Sequence, residues 1–218
     1  MHLYILVEDL SGKEMLDILI PKIISTQENT FSIISYEGIG HIPRNLNSTP
    51  DLRNRLLLHH LPAQLRAIGK TYKDNPKEYP VIMVCDLDDK RSLNDFLKEL
   101  LEVLDNCNPK PETRYCIAIE EGEAWLLGDL NAVKLAYPNA KDKVLKSYKN
   151  DSICGTWEKL ADAVYPGGHV TLEQLGRQTV GAKKSKWAEN ISPHIDVENN
   201  KSKSFCFFRK KIMELTKQ

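Results

Sequence analysis

The chain has 218 residues, 41% of them hydrophobic and 28% charged, with 30 basic and 30 acidic side chains. That is enough chain for one good-sized core. With no apolar run of membrane-spanning length, the composition excludes a disordered tail, a disulfide-dense miniprotein and a transmembrane protein. Zero net charge gives no overall pull on nucleic acid. Residues 183–218, however, hold nine Lys or Arg against four Asp or Glu, which suits either a solvated basic region or a phosphate-binding surface.

In chain order, residues 3–7 form a continuous apolar run that meets Glu8 and Asp9 at once. It is too short and lacks the basic lead of a signal peptide, so it reads as a buried strand in a cytoplasmic protein. Ser11 is a candidate cap for a helix in which Met15, Leu16, Leu19, Ile20 and Ile23 share one face. Residues 31–35 read as a second strand. A loop with Pro and Asn follows, then a helix over 52–72 bent at Pro62. Pro80 introduces the third strand, 81–85. Leu93, Phe96, Leu97, Leu100, Leu101 and Leu104 then make the cleanest helical stripe in the chain. Residues 114–119 read as the fourth strand, and a short helix carries Trp125, Leu126 and Leu127. Beyond Asp129 only helices and loops are expected, with helices around 130–137, 156–164, 171–180, 183–191 and 204–215.

Strands spaced by helices in this way predict an α/β fold: a mostly parallel four-stranded sheet flanked by helices (residues 1–129), with a helical C-terminal extension (130–218) packed on it. Five cysteines (Cys85, Cys107, Cys116, Cys154 and Cys206), with no C-x-x-C pair, argue against zinc and against a disulfide framework.

Three of the predicted strands run into carboxylates: Glu8 and Asp9; Asp86, Asp88 and Asp89; Glu120, Glu121 and Glu123. In a parallel sheet these ends share one edge, the edge where ligands bind. Carboxylates crowded together raise one another's pKa, and a divalent cation with hard oxygen ligands, Mg²⁺ or Mn²⁺, relieves that cost. If the chain stays extended past Cys85, Asp86 and Asp88 point the same way. Glu8 would bind from the neighbouring strand or act as a general base. The competing reading is that the acids are helix caps.

The segments Leu6-Val7-Glu8-Asp9-Leu10-Ser11-Gly12-Lys13 and Val84-Cys85-Asp86-Leu87-Asp88-Asp89 resemble the Toprim signature, a Glu after the first strand and an Asp-x-Asp after a later one. The stretch from Ile119 through Glu123-Ala124-Trp125-Leu126-Leu127 to Asp129, with Lys201-Ser202-Lys203-Ser204-Phe205, is similar to stand-alone bacterial Toprim-like proteins related to the OLD nucleases. These are often encoded beside ABC-type or OLD-like ATPases in anti-phage loci. The resemblance implies a Toprim-like sheet with its first and third strands adjacent. It implies a metal site of Glu8, Asp86 and Asp88 with Glu123 in support, and phosphodiester cleavage of DNA or RNA. It also implies an ATPase partner, without which the protein is weakly active or silent. One departure is Asp9, where the Toprim loop has Gly; Gly12 is the nearest glycine.

Lys13, Lys90 or Arg91 are the candidates to neutralise a scissile phosphate. Lys183, Lys184 and Lys186 either meet phosphates or begin a solvated helix. His59 and His60 read as structural, and Trp125 and Trp187 as core anchors. Gly167-Gly168 is not followed by Gly-Lys-Ser or Gly-Lys-Thr, so no ATP loop is visible. The alternative to a nuclease is a catalytically degenerate Toprim-fold subunit that binds and regulates an ATPase.

Overall fold

A computed structural model describes residues 1–88, 92–152 and 155–216. Asp89, Lys90, Arg91 and Cys154, considered above, lie outside the described residues. The sheet is four-stranded and wholly parallel: β1 (His2–Val7), β2 (Thr30–Ser35), β3 (Val81–Asp86) and β4 (Thr113–Ala118), in the order β2-β1-β3-β4. β1 pairs with β3 in parallel, Tyr4 opposite Val81 and Val7 opposite Val84. The strands alternate between two cores, which is why they read as unbroken apolar runs. Leu3, Ile5, Val7, Ile82, Val84 and Cys116 face one side; Leu6, Val81, Met83, Cys85, Tyr115 and Ile117 face the other.

The first side is covered by α1 (Leu10–Ile23) and by helices that follow the sheet in sequence; the second is covered by α2 (Leu57–Thr71) and α3 (Leu93–Asp105). The chain leaves β1 for β2 on one flank, and returns to place β3 on the other. The carboxyl ends of β1 and β3 are therefore the switch point of the sheet, where such folds leave an open crevice.

The remaining helices are α4 (Glu123–Leu127), α5 (Leu130–Ala136), α6 (Asp142–Ser147), α7 (Thr156–Val164), α8 (Gly168–Glu173), α9 (Arg177–Ile191) and α10 (Lys203–Thr216). They share one continuous core with α1 and the sheet. Trp125 and Trp187 are buried in it, as expected. Among the described residues no helix is long and apolar enough to cross a membrane.

Several local expectations are corrected. The helix expected from residue 52 starts at Leu57, because the chain before it hydrogen-bonds to the turn after β2: Glu37 N–H to Arg55 O (2.7 Å) and Leu57 N–H to Gly38 O (2.9 Å). The helices expected over 171–180 and 183–191 are instead divided at Gly176, whose φ of 89° no helix accommodates. The cap of α1 is Asp9, which accepts the Gly12 N–H at 2.7 Å, while Ser11 donates its hydroxyl to Asp9. A Cβ on Gly12 would fall 2.6 Å from Val7 Cγ2, so a glycine lets α1 start directly against the end of β1. The six-residue α6 escaped the reading because it is too short to show a period and buries only Leu145.

A candidate acidic centre at the sheet switch point

Glu8 follows β1 and Asp86 ends β3, so adjacent parallel strands deliver both carboxylates to the same edge. Glu8 Oε2 accepts the Asp86 backbone N–H at 3.1 Å. With Asp9, Gly122 and Glu123 these two line a small cavity of about 20 Å³, space on the scale of one water molecule.

Glu123, the first residue of α4, is 4% exposed. Its counter-charge is Lys184 from α9, with Nζ 3.2 Å from Glu123 Oε2 and 3.4 Å from Glu121 Oε1. Lys184 was read as part of a phosphate-binding or solvated run; its side chain is in fact only 15% exposed and turned into the acids. The signal for this was its spacing from Trp187, Ala188 and Ile191, the buried face of α9.

Among the described residues one lysine stands against these carboxylates. Burial, with repulsion from Asp88 and Asp9, pushes Glu8 up to about 7, against relief from the Asp86 N–H and Lys184. Burial raises Glu123 to about 7, and Glu121 repels it further while Lys184 opposes the rise. Asp86 is held well above the usual carboxylate range by burial and then by Glu8. Burial works against the Lys184 ammonium, but Glu123, Glu121, Asp86 and Asp9 together hold its pKa well above the ordinary value. The centre is rich in oxygen donors and short of positive charge.

Two expected members are placed differently from the expectation: Asp88 acts on Glu8 from beside the centre, and Lys13 faces Asp17. The chain does not stay extended past Cys85. Asp88 has φ 53° and donates its N–H to Glu120 O, so the Asp-x-Asp alternation fails. Asp88 lines a neighbouring cavity with Glu120, Glu121, Gly155, Trp157 and Glu158. Lys13 is paired with Asp17 one turn along α1, which holds its ammonium away from the acids. Glu120 and Glu121 act largely as caps of α7. Glu120 accepts from Gly155 N–H (2.8 Å) and the Thr156 hydroxyl, and Glu121 from Trp157 N–H (2.9 Å).

Residues 119–129 and 200–205 meet in space. Trp125 Nε1 donates to Ser204 Oγ at 2.9 Å, Asn200 Nδ2 to Trp125 O at 2.8 Å, and Lys201 N–H to Gly128 O at 2.8 Å. Asp151 accepts from Ser202 Oγ, Lys203 N–H and Ser204 Oγ, fastening the start of α10. His60 is buried and held by Asn54 O, and His59 bonds Asn54 and His41, so both serve local structure.

A family described as a domain of unknown function, DUF4276, matches residues 7–211. The chain belongs to the DUF4276 family. The match runs from the last residue of β1 into α10, so the DUF4276 unit encloses both the acidic centre and the Trp125–Ser204 junction. No curated protein and no solved structure matches the chain.

A hard divalent cation fits this donor set. Mg²⁺ is usually held by one or two carboxylates and keeps several waters, a number that Glu8 and Asp86 meet. Among the described residues no group of three His, Cys, Asp or Glu side chains converges as a metal cage.

Proposed function

We propose that the protein is a metal-dependent phosphodiester hydrolase, a nuclease of the Toprim kind that its sequence resembles. The observation that carries the reading is the contact of Glu8 with Asp86 at the switch point of a parallel sheet, with more carboxylates than cations around it. Glu8 and Asp86 would hold Mg²⁺ or Mn²⁺, with Glu123 and Asp88 contributing charge from beside them. The metal supplies Lewis acidity toward a phosphoryl oxygen and a more acidic water. Glu8 Oε2 is engaged by the Asp86 N–H, so Oε1 is the atom left for the metal, which would displace the proton that burial favours there. Among the described residues Lys184, rather than Lys13, is the positive charge beside these acids.

In this reading the protein is cytoplasmic and works with an ABC-type or OLD-like ATPase in anti-phage defence. The partner releases or directs cleavage, because the chain shows no ATP loop of its own. Gly167 and Gly168 instead turn α7 into α8, and His169 bonds Asp162. One observation favours the second reading, a non-cleaving subunit: Lys184 already occupies the Glu121–Glu123 side of the centre, as a tethered cation would.

The test incubates DNA and RNA with Mg²⁺ or Mn²⁺ and the protein, alone and with the neighbouring gene's ATPase. Cleavage that falls by at least about 10²-fold in Glu8→Gln and in Asp86→Asn supports the hydrolase. Absence of cleavage under every condition, with no effect of Mg²⁺ on the melting temperature, leaves the non-cleaving subunit.

A further inference from the structure

Beside the acidic centre a second cavity, about 420 Å³, is lined by Trp157 from α7, Glu173 from α8, and Arg177, Val180 and Lys184 from α9. Cavities of roughly 300–1,000 Å³ are the size that takes small organic groups. Arg177, Val180 and Lys184 recur at i, i+3 and i+7, one face of α9. That face runs from Arg177 at the outer end to Lys184 at the acids, about 10 Å along the helix.

The cavity is joined to the centre by two contacts already described, Trp157 N–H to Glu121 and Lys184 Nζ to Glu121 and Glu123. Trp157 also lines the cavity that holds Asp88. The other two tryptophans are core residues, 0% and 2% exposed. Trp157 is only partly buried, at the margin of the core, and lines open space on two sides. Arg177 is exposed at the first residue of α9, and no carboxylate of the described residues is paired with it. Lys184, by contrast, is paired with Glu121 and Glu123, acids of the centre.

We propose that this cavity takes one unstacked base of a single-stranded nucleic acid, lying against Trp157, with a neighbouring phosphate on Arg177. An aromatic face beside a guanidinium is how proteins hold unpaired strands, since every base has a π-face and every nucleotide a phosphate. Glu173 is the acceptor for an exocyclic amine of that base. A duplex keeps its bases stacked and paired and cannot fill the cavity, so the site selects single strands and leads them to the acidic edge. The inference rests on the hydrolase reading only for the class of ligand, nucleic acid.

The test is fluorescence anisotropy of the full chain in EDTA. The probes are labelled single-stranded DNA and RNA of about 12 nucleotides and the matching DNA duplex. The expected result is binding of a single strand in preference to the duplex, weakened about tenfold by Trp157→Ala and largely kept by Trp157→Phe. Arg177→Ala should weaken binding and flatten its salt dependence. Melting temperatures verify that each variant folds. No binding of either single strand, equal binding of the duplex, or unchanged affinity in Trp157→Ala would overturn the inference. Binding of this pattern without cleavage under any condition removes the hydrolase reading and leaves this one standing. Cleavage with full affinity in Trp157→Ala does the reverse.

Discussion

Two polar clusters of this protein, one around Trp125 and the start of α10 and one at the ends of β1 and β3, are opposite in their electrostatics. At the Trp125 junction, Asp151, Asn200, Ser202 and Ser204 satisfy one another, the indole and the first N–H groups of α10. At the switch point, Glu8, Asp86, Glu121 and Glu123 crowd around one lysine of the described residues, Lys184, and their protons are held tightly. A satisfied network stabilises a fold, because each buried group has recovered the hydrogen bond it lost to water. An uncompensated cluster destabilises it, and persists where a ligand supplies the missing charge. Composition alone does not separate the two; the balance of donors, acceptors and charges does.

The contrast can be broken by mutation, with effects of opposite sign. Trp125→Ala should cost about 3–5 kcal/mol by emptying the core beneath α10, and Asp151→Ala about 2–3 kcal/mol by stranding its donors. Glu8→Gln or Asp86→Asn should instead stabilise the metal-free protein, by roughly 1–3 kcal/mol, while removing any stabilisation by Mg²⁺. Denaturant melts with and without the ion measure all four. A loss of stability in the switch-point variants equal to that of Asp151→Ala would mean that the two clusters are of one kind.

A smaller effect follows from pH. Glu8 and Glu123 have an ordinary pKa of 4.5 and rise to about 7 in the fold, so the native state binds more protons than the unfolded chain between those values. The metal-free protein should therefore lose stability as pH rises from about 4.5 to about 7, and remain at the lower level above it. Lys184 titrates far above this window. Since Mg²⁺ competes with those protons, it should raise the melting temperature more at about pH 8 than at about pH 5.5. A flat profile would show that the acids are not short of positive charge.

The smallest expected effect tests the exclusion of Lys13 from the site. Lys13→Ala should change stability by no more than about 0.5 kcal/mol, as for a surface pair, and leave nucleic-acid cleavage unaltered, while Lys184→Met should alter cleavage. A large loss of activity in Lys13→Ala would restore the lysine to the centre.

What was legible in the sequence was what periodicity and strand ends encode. The apolar runs ending in Glu8 and Asp86, and the stripe from Leu93 to Leu104, were enough to predict the parallel sheet, its covering helices and an acidic edge; the β1–β3 neighbours were expected only from the resemblance. The shared direction expected for Asp86 and Asp88 depended on extended backbone, and a spacing says nothing of where that ends; here it ends at Asp86, and the next turn bonds to Glu120. Lys13 is paired with Asp17 one turn on, because nearness in sequence is not direction in space.

Lys184 and Trp157 lie far along the chain from the motifs, and no local pattern ties them to Glu8 or Asp86. The sequence by itself determined which strand ends carry acid, because burial on both faces forces apolar runs and ends them at the edge. Only the tertiary structure decided which cation meets those acids and which ring stands beside them. That depends on how α7 and α9 pack against the sheet, and packing brings together residues that share no local period.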